Sequence, residues 1–293
     1  MAHSESHLLL GAHESIDVGF NSACVKGEEA ACEVVQIFTR SSRQWSTPKL
    51  KPEDLAEWKK VAAQSKARPF LVHDSYLINL GSPKKRIHAA SMRAFKEEMD
   101  RAEALSIPNL VMHPGAHMGE GEEAALERIA ESIAKAIQET SGHRVRILLE
   151  NTAGQGSTVG YRFEHLRRIL DLVNNEDRMG VCLDTCHLFT SGYDFRKRDG
   201  HDRTFQQFEE IVGLKWLKAF HFNDSKKPLS SRVDRHEHIG LGHIGIDPFR
   251  WLMNDERFAL LGGVLETPVR EERRTFKEDL QILRDLRITP KST

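Results

Sequence analysis

Histidine or a carboxylate closes one short apolar run after another along this chain. His13 follows the run 8–12, His73 follows 69–72, His113 follows 110–112 and Glu150 follows 145–149. Asp184 follows 180–183, with His187 three residues on; His221 follows 217–220 and Glu266 follows 263–265. Carboxylates gathered in one site repel each other and are expensive to remove from water. Imidazole and carboxylate together are the donors that zinc, manganese or iron would use. Bound cations would remove the repulsion and lower the carboxylate pKa values. A single histidine in such a place is more often a satisfied buried side chain than a ligand. The succession His73, His113, Glu150, Asp184, His221, Glu266 reads instead as a metal centre. The segment Asp234-Arg235-His236-Glu237-His238 offers more donors, since Asp234, His236 and His238 would share one side of an extended segment. Alone, such a run is commonly a solvated loop, and its spacing does not choose between His236 and His238.

These positions need elements to bring them together. From His73 onward they are 40, 37, 34, 37 and 45 residues apart, about one βα unit each. The eight apolar runs, including 34–38, are nearly continuous rather than alternating, as expected of strands buried on both faces of a parallel sheet. Helical patterns fill the gaps. Pro52-Glu53-Asp54 opens one with acids in its first turn, followed by the stripe Leu55, Trp58, Val61 and Ala62. Ser82-Pro83 reads as the N-cap and first residue of another. Leu126, Ile129, Ile133 and Ile137 make a third stripe, and Leu166, Ile169, Leu170 and Val173 a fourth. Phe205, Phe208 and Val212 make a shorter one, Asp247-Pro248 caps a short helix, and Phe276, Leu280 and Leu283 mark the last. The pattern predicts an α/β fold, one (β/α)8 TIM barrel forming a single domain over 1–293, with polar tails at 1–7 and 287–293. An open doubly wound sheet is the runner-up, weakened because no Gly-rich dinucleotide fingerprint follows any strand. The active face of such a barrel lies at the carboxyl ends of its strands, so the polar residues above meet there, and 234–238 joins them.

Other candidates are set aside. Cys182 and Cys186 flank Asp184, but Cys182 shares its strand phase and is expected to fill the barrel interior. Cys24 and Cys32 belong to the core. His3, His7, His88, His143, His165 and His201 are expected at the surface, and His117 is left out of the ligand set.

Composition sets outer limits. With 29% charged and 39% apolar residues, the chain is not a membrane protein, a collagen or a long disordered polymer. Its polar start lacks a basic and apolar leader, and four cysteines make a poor disulfide framework. Reduced thiols in an intracellular protein are expected, cytoplasmic if the source is bacterial. The formal net charge of −1 speaks against a nucleic-acid partner only until bound cations are counted.

The chain closely resembles the endonuclease IV family of abasic-site (AP) endonucleases, from about Leu9 to Leu283. The resemblance rests on Gly11-Ala12-His13, Arg43-Gln44-Trp45, the run from His73 through Asp74-Ser75-Tyr76-Leu77-Ile78-Asn79 to Leu80, and His113-Pro114-Gly115. It continues through Glu150-Asn151-Thr152-Ala153-Gly154-Gln155-Gly156, Cys182-Leu183-Asp184-Thr185-Cys186-His187, His221-Phe222-Asn223-Asp224 and Ser231-Arg232-Val233-Asp234-Arg235-His236. It implies a monomeric TIM barrel holding three Zn2+, or Mn2+ or Fe2+ at one position. His73 and His113 would hold one metal that Glu150 bridges to a second, completed by Asp184, His221 and Glu266. His187, Asp234 and His236 would hold the third, so the resemblance selects His236 over His238. The nine ligands carry a formal −4, and three divalent cations would bring the site to +2, concentrating anion attraction there. The implied activity is metal-dependent hydrolysis of DNA, with Glu150 and Glu266 as catalytic carboxylates. Cleavage 5′ to an abasic site would leave a 3′-hydroxyl and a 5′-deoxyribose phosphate, and 3′-blocking groups would be removed by the same site. A missing base lowers the cost of turning the nucleotide out of double-stranded DNA. Arg43, Gln44 and Trp45 in one loop and Tyr76 in the next would contact the bent duplex, with Arg43 and Tyr76 wedging the gap.

Two other readings compete. A metal-dependent sugar isomerase or epimerase would use a quartet like Glu150, Asp184, His221 and Glu266, but has no need of His73, His113, His187, Asp234 and His236. A protein that binds abasic DNA without cutting it has no need of a full ligand set.

Overall fold

The computed structural model describes residues 7–269 and 274–288. Seven parallel strands follow one another around a ring: β1 (Leu9–His13), β2 (Val34–Phe38), β3 (Arg68–His73), β4 (Asn109–Met112), β5 (Arg146–Glu150), β6 (Met179–Asp184) and β7 (Leu217–Phe222). A short antiparallel hairpin, β8 (Asp224–Ser225) with β9 (His236–Glu237), comes next in the chain. The last strand, β10 (Gly262–Leu265), is the eighth of the barrel and closes the ring between β7 and β1. The expected TIM barrel is therefore what the chain forms. All eight apolar runs are strands, with ends within two residues of those read from the sequence. Their near-continuous apolar character has its cause here. One face packs on the helices, and the other on an inner plug of Val34, Leu71, Val111, Leu148, Cys182, Ala219 and Val264.

Around the barrel run α1 (Asn21–Glu29), α2 (Pro52–Gln64), α3 (Lys85–Ala104), α4 (Glu122–Glu139), α5 (Phe163–Val173), α6 (Thr185–Ser191), α7 (Arg198–Ile211), α8 (Asp247–Met253) and α9 (Phe276–Asp285). Their apolar stripes, including Ile129, Ile133, Leu166, Ile169, Phe205 and Leu280, are buried against the sheet. Among the described residues no helix is long and apolar enough to cross a membrane.

Several local expectations need correction. Helix α3 starts at Lys85 rather than at Pro83; the Ser82 hydroxyl instead accepts from Lys84 N at 3.3 Å, forming a turn ahead of the helix. In α8, Asp247 lies in the first turn beside Pro248, and Ile246 precedes it. The helix α6 and the β8–β9 hairpin were not foreseen. His165 and His201 are buried, not exposed. Each lies on the inward face of its helix: His165 Nδ1 accepts from Gly160 N at 3.1 Å, and the His201 ring packs 4.8 Å from Phe205 and 5.5 Å from Trp251. Of the expected tails, 1–6 and 289–293 lie outside the described residues, as does His3. His7 and Arg287 engage the barrel floor, with His7 Nε2 3.0 Å from Glu33 Oε1 and Arg287 donating to Leu8 O at 2.6 Å.

Strand β1 carries glycine where its neighbours carry plug residues. A Cβ on Gly11 would stand 1.7 Å from Val34 O, so β1 can approach β2 only without a side chain there. Gly11→Ala is expected to cost about 3 kcal/mol, the upper end for overpacking, measured by denaturant unfolding. An unchanged midpoint would contradict this role.

Candidate metal centre

Strand side chains alternate between faces with a period of two, and that period builds the site. Two residues beyond the plug positions 34, 71, 111, 148, 182, 219 and 264 stand Gln36, His73, His113, Glu150, Asp184, His221 and Glu266. The same inward phase that makes an apolar plug one level down makes a polar layer at the carboxyl ends. Gln36 was missed by the sequence reading. Its signal was present: one amide in the otherwise apolar run Val-Val-Gln-Ile-Phe.

Glu150 lies at the centre, fully buried. Its Oε2 is 3.1 Å from His73 Nε2 and 3.3 Å from His113 Nε2. Its Oε1 is 3.0 Å from His221 Nδ1 and 3.2 Å from His187 Nδ1. Glu266 Oε2 is 3.5 Å from His221 Nδ1. Asp184 ends β6 and caps α6, its Oδ1 accepting from His187 N at 2.7 Å. The chain therefore turns into a helix at once and returns His187 to the site one turn later. The β8–β9 hairpin folds the third group over the barrel mouth. Asp234 Oδ2 is 3.2 Å from His187 Nε2, and its Oδ1 is 3.2 Å from His236 Nε2.

The nine expected donors thus gather into three clusters. In each, the ligand atoms lie within 4.8 Å of one another: His73, His113, Glu150; Glu150, Asp184, His221, Glu266; and His187, Asp234, His236. Cys186 also lies within that distance of Asp184 and His236, but burial, and then the charge of Asp184, push its thiol up to about 12. His238 does not join Asp234 and His236 on one side. It turns inward to Asp279, with Nδ1 2.6 Å from Oδ2.

The donor set fits cations. His73 Nδ1 bonds Asp74 O at 2.8 Å, His187 Nδ1 bonds Asn151 O at 2.9 Å, and His236 Nδ1 bonds Glu266 O at 3.1 Å. Each bond to a carbonyl makes Nδ1 the donor and leaves Nε2 with a lone pair facing the carboxylates, the usual outer support of a metal-binding imidazole. His236 Nε2 is buried without a hydrogen-bond partner. His221 is reversed, with Nε2 on Gln36 Oε1 at 2.8 Å and Nδ1 on the carboxylates. With only protons available, the charges balance on the imidazoles. Burial opposes charge on His73, but Glu150, Glu266 and Asp74 override it and raise the ring to about 9. Burial likewise favours neutral Glu150, yet His221 and His113 hold it well below the usual carboxylate range.

Further polar residues fix this layer. Gln36 donates to Glu266 Oε1 at 2.6 Å, and His13 Nδ1 lies 3.3 Å from the same oxygen. Asn223 donates to Asp184 Oδ2 at 2.7 Å and accepts from Glu266 N at 3.0 Å. Asn151 accepts from Asp184 N at 2.7 Å. Buried Asp224 accepts from the backbone N–H groups of Ser225, Gly240, Gly242, Ile244 and Gly245, pinning the loop beyond the hairpin.

Next to the centre is a cleft of about 390 Å³ lined by His73, Tyr76, His113, Gln155, Asp234 and Arg235, among others. Tyr76 is 60% exposed, yet its ring lies 5.4 Å from that of His73 and 5.6 Å from that of Phe38. Arg43, Gln44 and Trp45 are exposed on the loop after β2. That loop is tied down from beneath: buried Arg40 donates to Glu97 at 2.6 Å and to Trp45 O at 3.0 Å, and Ser75 Oγ donates to Ser42 O at 2.9 Å. The sequence reading missed Arg40, which looks like any other surface cation in a polar run.

The family described as xylose isomerase-like TIM barrel matches residues 26–286. A protein of Chloroflexus aggregans named "Probable endonuclease 4" is 47% identical over 280 residues, covering 95% of this chain and 98% of its own. The crystal structure of endonuclease IV from Thermus thermophilus superposes with a TM-score of 0.83 at 30% identity, covering 95% of this chain and 98% of that one. A D-tagatose 3-epimerase-like protein superposes with a TM-score of 0.70 at 16% identity over 95% of this chain and 97% of its own, a likeness of fold alone. At this identity and coverage, the chain belongs to the endonuclease IV family.

Proposed function

We propose that this chain is a metal-dependent AP endonuclease of DNA base-excision repair. It hydrolyses the phosphodiester 5′ to an abasic site, leaves a 3′-hydroxyl and a 5′-deoxyribose phosphate, and clears blocked 3′ ends. The observation that carries the reading is the convergence of five imidazoles and four carboxylates, three of the rings held by Nδ1 bonds to carbonyls so that Nε2 faces inward. The sugar-isomerase alternative accounts for Glu150, Asp184, His221 and Glu266 but leaves the cluster His187, Asp234, His236 and the pair His73, His113 without purpose. Three Zn2+, or Mn2+ or Fe2+ at one position, suit the three clusters. A monomeric, cytoplasmic enzyme is part of the same proposal and rests on the resemblance.

Divalent cations so held supply Lewis acidity toward phosphate oxygens and lower the pKa of water toward neutrality. The protein's part is positioning. Glu150 faces His73 and His113 with one oxygen and His221 with the other, which suits it to bridge two ions. Glu266 is held by Gln36 and its backbone by Asn223. Its fixed orientation keeps one oxygen toward the centre. The cluster at the mouth stands on the same cleft as Tyr76, Gln155 and Arg235, where an extruded abasic sugar and its 5′ phosphate would sit. Arg43 and Tyr76 would fill the gap in the duplex, and the loop supports from Arg40 and Ser75 limit the ordering cost of binding.

Three outcomes test this. Incubated with a synthetic abasic duplex, the loaded protein should nick it on gels, and chelation should abolish nicking; binding without cleavage in the loaded state would favour the lesion-binding alternative. Glu150→Gln should lower turnover by orders of magnitude and reduce metal content, with a smaller loss of DNA affinity. Near-normal cleavage with full metal content would falsify the bridging role. Tyr76→Ala should weaken abasic-duplex binding about tenfold, in the range of losing one aromatic contact to nucleic acid, while metal content holds. An unchanged dissociation constant would refute the wedge assignment.

A further inference from the structure

A buried histidine–carboxylate contact, His238 with Asp279, lies outside the nine donors and serves none of the helix caps. Asp279 is on the inner face of α9, wholly buried, and His238 beside it is 1% exposed. The N-terminus of α9 is already closed by Thr275 and Glu278, which satisfy each other's backbone N–H groups. Asp279 Oδ2 stands 2.6 Å from His238 Nδ1 and accepts from Thr267 Oγ1 at 2.9 Å. Its Oδ1 is 3.7 Å from Arg274 Nη1 and has no hydrogen bond of its own. Arg274 in turn donates to Ile239 O at 2.9 Å. A carboxylate is costly to bury unless its charge and bonds are compensated, so what this one holds in place matters.

It holds the neighbours of two donors. His238 is two residues beyond His236, and Thr267 directly follows Glu266. His236 and Glu266 themselves meet, through His236 Nδ1 on Glu266 O at 3.1 Å. A single oxygen of Asp279 thus bonds one residue from each of two segments far apart in sequence, on the outer side of the contact that sets the spacing of two different clusters. We infer that Asp279 is a positioning residue of the metal centre: through His238 and Thr267 it fixes the segments that carry His236 and Glu266. The inference rests on the metal-centre reading above. Partners bonded directly to a ligand commonly change metal affinity by roughly 10–100-fold; Asp279 acts one step further out, through the chain neighbours of two ligands, so an effect at the lower end of that range is expected.

The test follows release of metal from the loaded protein to a coloured chelator, beside thermal melting of the stripped protein. Asp279→Asn keeps the size but loses the charge and one acceptor, and should release metal about tenfold faster while the stripped form still melts cooperatively. His238→Asn keeps an N–H donor near the Nδ1 position and should release metal as the wild type does, whereas His238→Ala should follow Asp279→Asn. Thr267→Val removes only one of the two bonds and should speed release several-fold even if Asp279→Asn does not fold. Wild-type release rates in both Asp279→Asn and Thr267→Val, or equal rates for His238→Asn and His238→Ala, would overturn the inference and leave the metal centre standing. A wild-type protein that binds no cation would overturn the metal-centre reading and this inference with it.

Discussion

Burying Glu150 at the centre of a ring of histidines is the constraint on which the rest of the molecule turns. A carboxylate there is tolerable only if positive charge meets it, and His73, His113, His187 and His221 meet it from four directions at 3.0 to 3.3 Å. Those rings stay in place because the backbone carbonyls of Asp74 and Asn151 and the amide of Gln36 hold nitrogens of three of them. The barrel below supplies the stiffness. Its plug is packed from seven strands, so the layer above cannot spread to relieve the repulsion. With only protons available the imidazoles carry the opposing charge; divalent cations, which imidazole and carboxylate donors suit, would take that place.

Much of this was legible in the sequence because two periodicities coincide. The βα repeat spaces the strands, and the strand period of two aims alternate residues inward, so one polar residue after each apolar run suffices to announce the layer. His73, Glu150 and His221 were readable on that basis alone. What could not be read depended on contacts between segments. His236 and His238 have the same spacing logic, and only the resemblance separated them; the reason is that His238 turns away to a carboxylate on α9. The burial of His165 and His201 is likewise a matter of which helix face meets the sheet. The hairpin of Asp224–Ser225 with His236–Glu237 has strands too short to show any periodicity.

The fold by itself says little about chemistry. Barrels with a TM-score of 0.70 to this chain include an epimerase-like protein at 16% identity, and a fold of this kind supports unrelated reactions. The chemistry must be read from the site, and here it includes a cluster over the mouth, His187, Asp234 and His236, built by a helix that begins without a loop after β6 and by a short hairpin after β7. These two elements extend an inner quartet into a wider patch of donors beside an open cleft. Such a patch suits a phosphodiester, whose several oxygens present charge over a broader front than a sugar carbonyl does.

Anomalous diffraction at the zinc edge, on crystals grown with the metal-loaded protein, tests the central claim most directly. Three peaks are expected, one among His73, His113 and Glu150, one among Glu150, Asp184, His221 and Glu266, and one among His187, Asp234 and His236. A lone peak in the Glu150, Asp184, His221, Glu266 quartet, with the other two clusters empty at saturating metal, would contradict it.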